Sequence, residues 1–127
     1  MIVLTLEQLL EFHALVISQT GGLDGLRDLG RLESVMATQT QNVFGEELYP
    51  SLPEKSAAII RGIIADHPFV DGNKRTAMLA GLTFLELNGF KFKAKRGELE
   101  NFAVKIAVKK LDVTEIAAWL KEHITKN

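Results

Sequence analysis

Pro68 stands between two apolar, helically periodic segments, and the chain has to fold around that break. The residue before a proline avoids the α region, so a helix through EKSAAIIRGIIAD has to end where HPFVDG begins. On that side Ala57, Ile60, Ile63 and Ile64 fall on one face. Ser51 and Glu54 have capping-box spacing at its start, and Pro53 sits in the first turn, where its missing N–H is tolerated. On the other side a helix begins near Asn73, runs through KRTAMLAGLTFLEL and closes at Asn88-Gly89. It is apolar on most sides, as a central helix is.

The same reasoning places the remaining elements. Thr5 and Gln8 form a capping box ahead of the stripe Leu6, Leu9, Leu10, His13, Val16 and Ile17, which Gly21-Gly22 stops. Asp28 caps a helix carrying Leu29, Leu32, Val35 and Met36. TQTQNVFGEELYPSLP is the longest irregular stretch, and FKFKA alternates as a short strand or extended turn. Two more helices follow, one with Leu99, Phe102, Ala103 and Ile106, the other after Asp112 with Val113, Ile116, Ala117 and Leu120. There is no repeat, low-complexity tract or linker. The expectation is an all-α, compact single-domain bundle of about six helices over residues 1–127.

Composition narrows the function classes. A net charge of −1 argues against a broad basic surface, so no direct nucleic-acid binding is expected. Without cysteine there is no disulfide and no thiolate metal site. The N-terminal stretch lacks a basic n-region and carries Glu7, Glu11 and His13. It reads as an amphipathic helix rather than a signal peptide or membrane span, which makes the cytoplasm the expected location.

The densest polar cluster is HPFVDGNKRTA, residues 67–77, at the junction of the two core helices. A helix N-terminus offers unpaired N–H groups and a partial positive charge, and so attracts anions. Gly72 lets the backbone curl toward a ligand, and Asn73 offers an amide donor. Lys74 and Arg75 oppose the helix dipole in the first turn, a choice that a bound phosphate would explain. Asp71 would be repelled by a polyphosphate unless a divalent cation lay between them, which is how proteins usually hold Mg²⁺. His67 is the side chain best suited to act as a general base near neutral pH. Phe69 points inward and anchors the loop. These are the parts that phosphoryl or nucleotidyl transfer needs. The bland reading competes with it: a structural His, an Asp-Gly turn and two solvated cations. A His-x-x-x-Asp metal site ranks low for want of a third ligand.

At these residues the chain resembles the Fic/Doc superfamily, whose motif reads H-P-F-x-[DE]-G-N-G-R. GGLDGLRDLGRLESVM and NKRTAMLAGLTFLELNG are similar to the Doc branch, the small toxins of toxin–antitoxin pairs. The resemblance implies a general base at His67, a Mg²⁺ ligand at Asp71 and a buried anchor at Phe69. It places a phosphate hole at Gly72 and Asn73, with Arg75 on a phosphate. Lys74 stands where AMP-transferring members have Gly, and Met78 where they tend to have a second Arg. The Doc branch shares the Lys, which implies that ATP sits reversed and presents its γ-phosphate. Protein phosphorylation is the activity implied, with translation elongation factor Tu as target. No [ST]-x-x-x-E-[GN] inhibitory motif is present, so the inhibitor is expected to be a separate antitoxin. The alternatives are AMP transfer to a protein hydroxyl and a non-catalytic helical interaction module.

Elsewhere the expectations are structural. His13 reads as a packed core His, His123 as solvated, and Trp119 as packing. Arg27 and Arg31 read as surface charges, and KFKAKRG (91–97) as a solvated turn.

Overall fold

The computed structural model describes all of residues 1–127. The helices are α1 (Leu6–Thr20), α2 (Leu29–Ala37), α3 (Leu52–Asp66), α4 (Asn73–Leu87), α5 (Glu98–Lys109) and α6 (Val113–Glu122). Two small antiparallel pairs accompany them: β1 (Asn42–Val43) with β2 (Glu46–Glu47), and β3 (Phe90–Phe92) with β4 (Ile124–Lys126). The all-α bundle of six helices expected from the sequence is the fold observed. No helix is long and apolar enough to cross a membrane.

Local chemistry sets the helix starts. Thr5 and Asp112 form complete capping boxes with Gln8 and Glu115, and the Asp28 side chain accepts from the Arg31 N–H. Ser51 accepts from the Glu54 N–H, but its hydroxyl donates to the Glu54 carboxylate at 2.8 Å, so the box is only half closed. Each such cap satisfies an orphan N–H and contributes about 1 kcal/mol.

Helix α3 is the central element and packs most extensively on α4 and α6. Ala57, Ile59, Ile60 and Ile63 have no exposed surface, and the Ser56 hydroxyl reaches the Gly81 carbonyl of α4 at 2.8 Å. Phe84, Leu85, Leu32, Ile116 and Leu120 complete the centre of the core. Leu10 and Leu29, assigned to apolar stripes by periodicity, lie at the solvent edge. Lys55 is buried, and its Nζ ties the Glu47 carboxylate (2.9 Å) and the Gln39 carbonyl (2.8 Å) to α3. The irregular stretch is therefore a hairpin anchored on the core, with Phe44 wholly exposed at its tip.

His123 is not a solvated tail residue. Its Nδ1 faces the Trp119 carbonyl at 2.7 Å, its Nε2 faces the Glu98 carboxylate at 2.9 Å, and its ring stacks on Trp119. A carbonyl and a carboxylate can only accept, so both ring nitrogens donate and the imidazolium is favoured. The hydrogen bond to Trp119 and the pairing with Glu98 hold its pKa above the usual imidazole value, against some desolvation; the Glu122 charge adds to the rise.

Candidate active site

The loop 67–72 joins α3 to α4, and most of its backbone is held by other parts of the chain. His67 caps α3 in the left-handed conformation (φ 48°, ψ 58°), with its N–H on the Ile63 carbonyl. Arg27 donates from Nε to the His67 carbonyl and from a terminal nitrogen to the Asp66 carbonyl, both at 2.6 Å. It neutralises the C-terminal end of α3, where cations are favoured. The Pro68 carbonyl accepts from the N–H groups of Arg27 and Asp28, and the Val70 N–H reaches the Gly25 carbonyl at 3.0 Å. The loop between α1 and α2 is therefore laced to the loop between α3 and α4. Arg27 and Arg31 are not idle surface charges: Arg31 pairs with Asp28 and lies 3.8 Å from Asp66.

Inside the loop Phe69 is 1 % exposed. The Asn73 carboxamide grips its backbone at both ends, accepting from the Phe69 N–H (3.0 Å) and donating to the Phe69 carbonyl (2.9 Å). His13, buried on α1, stacks on the Phe69 ring with centroids 3.9 Å apart and planes 6° from parallel. Its Nε2 lies 2.8 Å from the Asp71 carbonyl, so Nε2 carries the proton. The packed histidine expected at position 13 is thus also a strut under the loop.

Asp71 projects into the open. Its carboxylate accepts from the Leu23 N–H (3.1 Å) and the Gly72 N–H (2.8 Å). These two bonds, aided by the His13 and Lys74 charges and opposed by slight desolvation, hold its pKa below the usual carboxylate value. Gly22 has φ 113°, and a Cβ there would stand 2.6 Å from Asp71 Oδ2, so only glycine allows this approach. Gly72 takes φ 75° and turns the chain into α4. The N–H groups of Asn73, Lys74 and Arg75 then point out of the helix start without intrahelical partners.

An open cleft of about 500 Å³ results, lined by Gly21, Gly22, His67, Asp71, Gly72, Asn73, Lys74 and Arg75 among others. Six of the seven residues singled out from the sequence meet there, and Phe69 lies beneath as their support. Asn73 differs in detail: its side chain faces the loop backbone, so it offers the cleft its N–H. A family model described as the Fic/DOC family matches residues 3–85, well over half of the chain. The chain belongs to the Fic/DOC family. This Fic/DOC protein is 37% identical over 102 residues to "Toxin Doc" of Mycolicibacterium smegmatis, covering 79% of this chain and 78% of the relative. It is 35% identical over 115 residues to "Protein kinase doc" of Escherichia phage P1, covering 91% and 90%.

The donor set can be tested against the ligands that the family implies. Asp71 is the carboxylate of the cleft, and no cluster of three potential metal-ligating side chains exists in the chain. A single ionised carboxylate fits Mg²⁺ that arrives with phosphate oxygens and retains waters. It does not fit a cation held by protein alone. Lys74, Arg75 and the open helix start fit the phosphates themselves. Sequence reasoning missed Gly22, Leu23 and Arg27, which set the position of Asp71 and of the end of α3. Gly21-Gly22 signalled only a helix stop, and nothing local ties it to a carboxylate far along the chain.

Proposed function

We propose that this Fic/DOC protein is a toxin that transfers the γ-phosphate of ATP to a hydroxyl of a target protein. The observation that carries the reading is the convergence of an exposed imidazole, an ionised carboxylate and a cationic helix start on one cleft. His67 has no intramolecular partner for its ring, so it is free to accept the acceptor hydroxyl's proton. The hydroxyl oxygen then bonds to the γ-phosphorus, the bond from that phosphorus to the bridging oxygen breaks, and ADP leaves with the electron pair. Lys74, Arg75 and the N–H groups of α4 hold phosphate oxygens and stabilise charge as it shifts toward the leaving group. Asp71 would hold Mg²⁺, which neutralises phosphate charge when bound.

The name of the phage P1 relative supports phosphoryl transfer, and both relatives' names support membership in a Doc toxin system. The Doc-branch resemblance adds elongation factor Tu as the acceptor, translation as the process inhibited, and a separate antitoxin as the partner. The test is mass spectrometry of a bacterial lysate treated with the protein, Mg²⁺ and ATP. A protein heavier by one phosphate is the expected product; one heavier by AMP would replace this reading with nucleotidyl transfer.

A further inference from the structure

His67 belongs to two cavities. One is the phosphate-side cleft. The other, about 250 Å³, lies between the later turns of α3 and the end of α5, walled by Arg61, His67, Lys110, Ile64, Ile106 and Leu111. This volume falls below the roughly 300–1,000 Å³ of sites that hold cofactor-sized ligands, and suits a side chain. No carboxylate lines it. The side chains of Arg61 and Lys110 have no ion-pair or hydrogen-bond partner in the chain, and the nearby Asp66 is engaged by Arg31. Lys110 also sits at φ 51°, ψ 51° as the C-cap of α5, a conformation that Gly or Asn adopts with less strain.

We propose that this cavity is an acceptor-side subsite for a glutamate or aspartate side chain of the target protein, flanking the hydroxyl that His67 deprotonates. The inference rests on the transfer reading of the cleft. A hydroxyl against His67 must have the phosphates on one side of the ring, so the chain carrying it extends over the other side. The neighbouring side chain then meets an apolar floor that takes methylene groups and two free cations that take a carboxylate. Carboxylate–guanidinium hydrogen bonds are charge-assisted and directional, which selects this occupant over a neutral isostere.

The probes are short peptides with one central Thr, flanked by Glu, Gln or Lys. Binding is followed through the backbone amide signals of the isotopically labelled protein in the presence of Mg-ATP, and transfer through label from the γ-phosphate. Glu-flanked peptides should shift the signals of Arg61, Lys110 and Leu111 and bind about tenfold more tightly than Gln-flanked ones, the scale of one charge-assisted hydrogen bond. Arg61→Ala with Lys110→Ala should erase that preference and raise KM, with kcat and Mg-ATP affinity unchanged. If the wild type transfers γ-label but binds Glu- and Gln-flanked peptides equally, the subsite is overturned and the kinase reading stands. If no γ-label moves while Glu-selective binding persists and needs both cations, the kinase reading fails and the subsite stands. Mg-ATP or inorganic phosphate shifting the Arg61 and Lys110 signals in place of the peptide also overturns it.

Discussion

At the scale of single residues, the proposed base and the support of the loop are different histidines. His67 is exposed and held only through its backbone, whereas His13 is buried and makes contacts with ring face and edge. His67→Ala should therefore leave the melting temperature nearly unchanged while transfer falls by about 10²–10⁴, the usual contribution of a general base. His67→Asn, which tolerates the left-handed conformation well, is the control against backbone strain. A variant that unfolds would return His67 to a structural role. His13→Phe should keep the stack on Phe69 and lose the bond to the Asp71 carbonyl. The expected result is a loss of about 1 kcal/mol of stability, with Mg-ATP affinity reduced more than kcat. His13→Gln, which retains a donor, should restore part of that affinity. An equal loss in both variants would mean that ring packing alone matters.

At the scale of elements, what the sequence revealed depended on how local the determinant is. Caps at Thr5, Asp28, Ser51 and Asp112 act within three residues, so they could be read directly. Strand β4 could not: Ile124–Lys126 is too short for a periodicity to show, and its partner Phe90–Phe92 lies beyond α5 and α6 in the chain. The β1–β2 turn has positive φ at Phe44 and Gly45, and Phe is not a residue that signals such a turn. The grouping of the cleft residues was legible because His67 to Arg75 are contiguous. The supporting loop was not, because Arg27 and His67 lie 40 positions apart. The His123–Glu98 clip between α6 and α5 gives a pH prediction. The folded His123 pKa is raised, so its contribution is fully present below the unfolded value of about 6.5 and is lost as pH rises through the folded value. The folded Glu98 pKa is lowered, chiefly by the Lys95 N–H and then by His123, so its contribution is present above about 4.3 and is lost as pH falls through the folded value. The melting-temperature gap between wild type and His123→Gln should thus be widest in mildly acidic buffer and shrink in alkali. A gap independent of pH would reduce the clip to stacking on Trp119.

At the scale of the whole molecule, the bundle brings two loops and one helix start to a single end, and under the proposed function Lys74 determines which way a nucleotide can enter. Its side chain is exposed in the first turn of α4, on the wall shared by the cleft and the groove running past Met78. In the proposed reaction it fills the space where α- and β-phosphates would otherwise meet the backbone. Lys74→Gly opens that space and removes a charge, so γ-transfer should fall by about 10²-fold or more, as for other lost electrostatic clamps. Glycine also costs the helix about 1 kcal/mol, and Lys74→Ala separates that effect from the opening of the space. Weak AMP transfer should appear in the glycine variant. Adding Met78→Arg should strengthen it, but at a cost in melting temperature. Met78 is 4 % exposed, so an arginine there must lift its guanidinium to the groove's rim while its stem replaces the methionine. The assay supplies ATP labelled at either the α- or the γ-phosphate to each variant with one target. If the wild type already labels that target from the α-phosphate, Lys74 does not reverse the nucleotide, and the helix start holds ATP in the orientation that AMP transfer requires.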